Sequence, residues 1–130
     1  MTPTLNRILF VEDDPDIQVV ANLALQSVGK FTVEICSSGR EAIHVAPVFA
    51  PDVIILDVML PELDGLETFK ALRDIPETAH TPVIFLTAKV QAYEITQYRQ
   101  MGALDVIAKP FDPMTLAAQI YDLWKRHHDG

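Results

Sequence analysis

The sequence of 130 residues contains a single cysteine, Cys36, so the chain cannot form an internal disulfide. Its apolar runs are only a few residues long, far short of the roughly 20 residues that a membrane-spanning helix needs. Lys and Arg number 10 against 18 Asp and Glu, and the net charge of −8 argues against nucleic-acid binding by this domain. Acidic residues also follow the first apolar run too soon for a secretory signal peptide. These absences predict a cytoplasmic protein that does not bind a membrane.

What the sequence does contain is an alternation of short apolar runs with helical patterns, repeated five times. The predicted strands cover residues 7–11, 31–36, 52–56, 82–87 and 104–108, and Cys36 ends the second of them as a buried core thiol. The third and fourth strands are continuously apolar, as strands covered on both faces are. The pattern predicts a single α/β domain with a parallel sheet, right-handed crossovers and helices on both sides.

Helix boundaries are predicted from capping signals. Asp14, Asp64 and Asp112 each open a helix, and Ser38 with an acid three residues later has the spacing of a capping box. The first helix is expected to stop at Gly29, the second near Pro47 and the fourth at Gly102. The polar end of the chain, "KRHHDG", is expected to fray, which leaves a structured core of about residues 6–125 without a visible output domain. A stand-alone domain and a piece of a larger regulator both remain open.

Charged and polar residues follow four of the five predicted strands. Glu12 and Asp13 come after the first strand, Asp57 after the third, Thr87 ends the fourth and Lys109 follows the fifth. Because the carboxyl ends of parallel strands meet at one edge of a sheet, we expect these side chains to lie together. Carboxylates that close repel one another unless a cation joins them, and oxygen ligands alone favour Mg²⁺. A hydroxyl and a lysine opposite the metal would suit a phosphoryl group.

Four stretches carry a resemblance to a known family: "ILFVEDDPDI", "VIILDVMLPELDGLE", "PVIFLTA" and "DVIAKPF". They resemble the motifs of response regulator receiver domains of two-component signalling, in the same order and spacing and over nearly the whole chain. The resemblance implies a flavodoxin-like, doubly wound (βα)5 domain whose five-stranded parallel sheet has the order 2-1-3-4-5.

The resemblance also implies a role for each site residue. Asp57 would be the phosphoacceptor, and the Mg²⁺ ligands would be Glu12, Asp13, Asp57 and the backbone carbonyl of Met59. Thr87, the backbone of Ala88 and Lys109 would bind the phosphoryl group, and the Lys109–Pro110 bond is often cis in the family. Met59 and Lys89 would flank the path of hydrolytic water and tune the lifetime of the phosphoryl group. The implied partners are a histidine kinase or phosphotransfer protein and a downstream effector.

One position departs from the family pattern. Family members usually carry Tyr or Phe three residues before the lysine, and that ring moves together with the threonine when the domain switches. Here the switch pair would be Thr87 and Val106, and valine has a stiff χ1 and little reach. We therefore expect a muted change on the strand-five face. The domain is expected to be a monomer or weak homodimer and a signalling domain rather than a turnover enzyme.

Competing interpretations come from other classes of protein. A haloacid-type phosphatase would place a second acid two residues after Asp57, where Met59 stands. A pseudo-receiver that only binds other proteins would lack part of the acid, threonine and lysine set, which is complete here. No G-x-G-x-x-G motif follows a strand, which argues against a dinucleotide-binding domain. Asp14 and Asp64 are interpreted as helix caps only, and His127 and His128 as solvated residues rather than metal ligands.

Overall fold

The computed structural model describes residues 4–88 and 91–129 of the chain. Five strands alternate with five helices, as the apolar pattern predicted. The strands are β1 (Arg7–Val11), β2 (Thr32–Cys36), β3 (Val53–Asp57), β4 (Val83–Thr87) and β5 (Asp105–Ala108). The helices are α1 (Pro15–Asn22), α2 (Gly39–Phe49), α3 (Gly65–Arg73), α4 (Ala92–Gln100) and α5 (Leu116–Asp129), and α1 continues as a π-helical segment (Leu23–Val28).

The strands form one parallel sheet with the order β2-β1-β3-β4-β5, which confirms the predicted strand order. All residues of β3 and β4 are buried, because helices cover both faces of the central strands. Alternate residues point to opposite faces, so that Ile55 packs in one apolar cluster and Ile54 in another. α1 and α5 cover the first cluster, and α2, α3 and α4 contribute to the second.

Capping determines where most helices begin. The side chain of Asp14 accepts a hydrogen bond from the N–H of Asp16, and Pro15 occupies the first helical position of α1. Asp64 and Glu67 form a reciprocal capping box at the start of α3. These contacts confirm the interpretation of both aspartates as caps.

Three helix boundaries differ from the prediction. α2 continues through Pro47 and ends where Ala50 adopts a left-handed conformation with φ of 54°. α5 begins at Leu116 rather than just after Asp112, because the backbone first makes a turn in which Asp112 accepts hydrogen bonds from Met114 and Thr115. Its helical conformation then continues to Asp129, through residues that were expected to fray.

The first helix also changes its type of hydrogen bonding within the predicted length, which the sequence did not indicate. From Leu23 onward its hydrogen bonds span five residues, as in the bond from the Gly29 N–H to the Ala24 carbonyl at 3.1 Å. The apolar residues Ala24 and Leu25 remain buried in the wider turn. Periodicity in the sequence predicted the buried face, but it did not distinguish the two helix types.

Candidate functional site

Three carboxylates meet at the carboxyl edge of the sheet. Asp57 is the last residue of β3, and Glu12 and Asp13 follow β1 directly. Since Val11 pairs with Leu56 in the parallel register, the next residues of the two strands, Glu12 and Asp57, lie side by side. Both are 1% exposed, whereas Asp13 is exposed. One oxygen from each of the three carboxylates lies within 4.8 Å of the others.

The ammonium group of Lys109 lies between the two buried acids. Its Nζ is 2.9 Å from Glu12 Oε1 and 3.2 Å from Asp57 Oδ2. The backbone N–H of Lys109 donates to the Thr87 carbonyl at 2.9 Å, which ties the residue to the end of β4. The peptide bond from Lys109 to Pro110 is cis, as the family resemblance implied.

Burial and charge together perturb the pKa values at this edge. The pKa of Glu12 is raised to about 7, and burial is the main cause. The hydrogen bond from Lys109 lowers this pKa, and the neighbouring Asp57 raises it. For Lys109, burial lowers the pKa, but its hydrogen bonds with Glu12 and Asp57 outweigh that effect and the net change is upward. One ammonium thus faces three carboxylates, and the excess negative charge favours a bound cation.

The donors at this edge fit Mg²⁺. Carboxylate oxygens are hard ligands, and no histidine or cysteine belongs to the cluster among the residues that the structure describes. Asp14 does not belong to it either, because its side chain caps α1. Two hydrogen bonds hold the Asp57 carboxylate, one to each oxygen, since the Met59 N–H donates to Oδ1 at 3.0 Å and Lys109 binds Oδ2. Both oxygens of the Asp57 carboxylate are therefore held by hydrogen bonds within the chain.

The remaining predicted site residues lie around this cluster. Thr87 is buried at the end of β4, opposite Ala108 of β5, and the exposed Ala88 follows it. The Met59 side chain is 75% exposed beside Asp57. Lys89, the second residue predicted to tune the lifetime of the phosphoryl group, lies outside the described residues. The roles of these residues toward a phosphoryl group stay predictions.

Val106 lies in the middle of β5, away from the acids. It pairs with Phe85 of β4 and packs against the apolar cluster that also contains Tyr98 of α4. The rings of Phe85 and Tyr98 are 5.1 Å apart between centroids, so the nearest aromatic partner of this part of the sheet is on a helix. Val106 itself is a half-buried packing residue.

Gly65 supports the site in a way that the sequence analysis missed. Its N–H donates to the Val58 carbonyl at 3.0 Å, which brings the start of α3 against the chain that leaves β3. A Cβ atom at this position would lie 2.7 Å from the Val58 Cα and would clash with the Asp57 carbonyl oxygen. Only glycine permits this approach, and the Asp-Gly pair at the helix start was the available signal.

Two residue types with possible chemistry are placed elsewhere. Cys36 is a free, buried thiol, and burial, followed by the charges of Glu41 and Glu34, raises its pKa to about 12. This confirms its assignment to the core. His127 and His128 lie on α5, near its end. Among the helices of residues 4–88 and 91–129, none is both long and apolar enough to cross a membrane.

Comparison with known sequences gives a consistent result. The sequence profile of the response regulator receiver domain matches residues 8–121. The transcriptional regulatory protein TrcR of Mycobacterium tuberculosis is 36% identical over 120 residues, which are 92% of this chain and 46% of TrcR. The alkaline phosphatase synthesis transcriptional regulatory protein PhoP of Bacillus subtilis is also 36% identical over 120 residues, 92% of this chain and 49% of PhoP. The chain spans about half the length of these relatives.

Solved structures show the same fold. The chemotaxis response regulator CheY4 of Vibrio cholerae has a TM-score of 0.83 and 32% identity, with 92% of this chain and 99% of CheY4 covered. The receiver domain of the sensor histidine kinase PA1611 from Pseudomonas aeruginosa has a TM-score of 0.79 and 30% identity, with 98% of this chain and 100% of that domain covered. That structure holds a magnesium ion in its active-site cleft.

Proposed function

Since the chain belongs to the response regulator receiver domain family, we propose that it accepts a phosphoryl group on Asp57 from a phosphohistidine of a partner kinase or phosphotransfer protein. The observation that carries this proposal is the position of Asp57 itself. It is a buried carboxylate at the end of a central strand, within reach of two further acids and one ammonium. A buried carboxylate requires a charge partner or a functional role, and the surroundings of Asp57 suit an anion with several oxygens.

In the proposed step, an oxygen of Asp57 forms a bond to phosphorus while the bond from phosphorus to the imidazole nitrogen of the donor breaks. The electron pair of that bond remains on the donor nitrogen. The hydrogen bonds from Lys109 and from the Met59 N–H hold the carboxylate in place, so little reorganisation is needed. Transfer of this kind depends on positioning and charge neutralisation. Lys109 and Thr87 are the side chains that we assign to the phosphoryl oxygens.

Glu12, Asp13 and Asp57 would hold a Mg²⁺ ion, with the backbone carbonyl of Met59 as a fourth protein ligand. When bound, the ion supplies neutralisation of the charge on the transferring group. The chain's own contribution is to hold the Asp57 carboxylate with hydrogen bonds from Lys109 and the Met59 N–H and to present it at an edge that helices shield on both sides. Arg in place of Lys109 should be a poor substitute, because the ammonium is a compact point charge between two acids.

We propose that phosphorylation at this site signals to a downstream effector and that the domain acts in the cytoplasm as a signalling component rather than as a turnover enzyme. One observation argues against a haloacid-type phosphatase, and another argues against a pseudo-receiver. Met59 stands where such an enzyme needs its second acid, and Met59 turns its side chain to solvent. A pseudo-receiver would lack part of the acidic or lysine set, whereas Glu12, Asp57 and Lys109 are in direct contact here.

Intact-mass spectrometry after incubation with acetyl phosphate tests the proposal. With Mg²⁺ the protein should gain one phosphoryl group, and with EDTA it should gain none. The Asp57→Asn variant should remain unmodified, whereas Asp64→Asn, which changes an acid in a helix cap outside the cluster, should be modified as the native chain is. A native chain that gains nothing with Mg²⁺, or an Asp57→Asn variant that gains stoichiometric phosphate, would refute the proposal.

A further inference from the structure

A cavity of about 570 Å³ lies at the opposite edge of the sheet from the acids. Its walls come from the ends of α3, α4 and α5 and from the residues just before β4 and β5. Four basic side chains line it: Arg73, His80, Arg99 and His127. None of the described residues that line this cavity is acidic. In a chain with 18 acidic residues against 10 Lys and Arg, such a concentration of basic groups does not follow from composition.

Arg73 is held by two backbone carbonyls and an aromatic ring. Its Nη1 donates to the carbonyls of Thr78 at 3.1 Å and of Thr81 at 2.7 Å, and its guanidinium lies 4.6 Å from the centroid of the Phe69 ring. Within residues 4–88 and 91–129 it forms no ion pair with a carboxylate. Burial lowers its pKa, which reflects the cost of removing this cation from water without an anionic partner. The carbonyl bonds use one nitrogen and leave the other N–H groups for an acceptor.

Helix ends explain part of this arrangement. Arg73 and Arg99 lie in the last turns of α3 and α4, where cations interact favourably with the helix dipole. That effect does not account for His80, which lies in the loop between α3 and β4, or for a half-buried arginine without a counter-charge. Arg99 uses its Nη2 to bond both carboxylate oxygens of Asp105, at 2.9 and 3.0 Å, and its side chain is 56% exposed. Its other N–H groups are therefore left for an acceptor while the pair with Asp105 stays in place.

We propose that this cavity binds a phosphorylated small molecule of nucleotide size. Its phosphate would lie among the four basic side chains, with guanidinium groups as the main donors, and its body would lie against Pro82 and Leu104. The cavity volume falls within the range of roughly 300–1,000 Å³ that is typical of small-molecule sites. Strands of five residues separate the two edges by roughly 17 Å, so a ligand here would leave Asp57 accessible.

Amide NMR of the full chain in EDTA tests this, because removal of divalent cations leaves the acidic edge unable to attract phosphate. ADP and inorganic pyrophosphate serve as separate probes. ADP should produce saturable shifts at residues 79–81 and 102–104, with a Kd at or below about 1 mM and only small shifts at Glu12 and Asp57. The absence of saturable shifts, or shifts centred on the acidic edge, would overturn the proposal. Pyrophosphate that binds as tightly as ADP would overturn the assignment of a nucleotide-sized ligand.

Substitutions distinguish a specific binding site for ADP from a general attraction by net charge. His80→Gln and Arg99→Gln should each raise the Kd for ADP at least about threefold, which is roughly 0.7 kcal/mol. Arg40→Gln is the matched control, since it removes an exposed arginine from α2, away from the cavity, and should leave the Kd unchanged. Arg73 is left intact because it also supports the loop after α3. Equal weakening by Arg40→Gln and Arg99→Gln would show that net charge alone attracts the probe.

Discussion

Glu12 and Asp57 are buried carboxylates that share one ammonium group, and this sharing defines the chemistry of the site. Burial is the main cause of the raised pKa of Glu12, and Asp57 raises it further although Lys109 donates a hydrogen bond to both acids. Asp13 adds a third negative charge from the solvent side. The three acids, which come from the ends of β1 and β3, thus favour a bound cation.

Asp13→Asn tests which of the two exposed acids after β1 binds the metal. This change should weaken Mg²⁺ binding at least about tenfold, or 1.4 kcal/mol, because unit charges at about 4 Å interact by several kcal/mol even at an effective dielectric constant near 20. Asp14→Asn is the control, since asparagine also caps helices and Asp14 lies outside the cluster. Titration with Mg²⁺, followed by amide shifts, measures both. Equal losses of Mg²⁺ affinity in the two variants would show that Asp13 is the wrong choice of ligand.

Cys36 provides a prediction of pH dependence at the same scale. Its pKa is about 12 in the folded chain, mainly because of burial, against about 8.5 for an unfolded cysteine. Between these values the folded state binds the additional proton, so the free energy of unfolding should fall as pH rises above about 8.5, by up to about 1.4 kcal/mol per pH unit. Urea unfolding of the native chain from pH 8.5 to 10.5 should therefore show a steeper loss of stability than Cys36→Ala. Identical slopes would contradict the buried, protonated thiol.

At the scale of secondary-structure elements, the start of α3 is packed against the end of β3. Gly65→Ala should lower the free energy of unfolding by about 1–3 kcal/mol, because the added Cβ meets backbone atoms of Asp57 and Val58 that cannot move independently. Since the same backbone carries Asp57, the proposed phosphoacceptor, modification by acetyl phosphate should also slow. Lys70→Ala, on the exposed side of the same helix, is the control and should change neither quantity. Full stability and full modification of Gly65→Ala would refute this packing argument.

The pairing of β4 with β5 determines what phosphorylation can move. Val106 has one stiff χ1 and packs against Phe85, so it lacks the two arrangements that a coupled switch requires. With beryllofluoride and Mg²⁺ as a phosphoryl mimic, large amide shifts should occur at Asp57, Thr87 and Ala88 and small ones at Val106 and Trp124. The same reagents with Asp57→Asn should produce no shifts. Changes at Val106 and Trp124 as large as those at Thr87 would show that the strand-five face switches without an aromatic ring.

For the molecule as a whole, cation binding and folding are linked, because the acidic cluster exists only when β1 and β3 are paired. Mg²⁺ at ten times its Kd should stabilise the fold by about 1.4 kcal/mol and raise Tm by roughly 5 °C. Thermal unfolding followed by circular dichroism, with and without Mg²⁺, measures the effect. Asp13→Asn should lose most of it at the same Mg²⁺ concentration, and an equal Tm rise in that variant would mean that Mg²⁺ stabilises the chain elsewhere.

The two edges of the sheet carry different side chains, and this difference belongs to the whole molecule rather than to any element. The carboxyl edge holds three acids, and the amino edge holds four basic side chains around a cavity. In a parallel sheet the carboxyl ends of all strands lie at one edge and the amino ends at the other. Residues that follow strands therefore meet at the first edge, and residues that precede strands meet at the second. The ligand site proposed at the amino edge would therefore not overlap the acidic cluster at the carboxyl edge.

Much of this organisation is determined by the sequence alone. The five βα units, the parallel sheet and the polar residues at the strand ends were all predictable, because apolar periodicity and caps are local and act through residues a few positions apart. Once the strands are parallel, their carboxyl ends must meet. The resemblance of four motifs to receiver domains then supplied the strand order, which packing between distant segments controls.

The tertiary structure alone decided the rest. The π-helical segment, the continuation of α2 past Pro47 and the close approach at Gly65 depend on which surfaces pack against them, and neighbouring residues in the chain do not encode those surfaces. The basic cavity is the clearest case, because Arg73, Arg99 and His127 come from three different helices and each alone has the pattern of an ordinary helix end. Their shared position follows from helices that end above the same two strands, a long-range arrangement that only the folded chain defines.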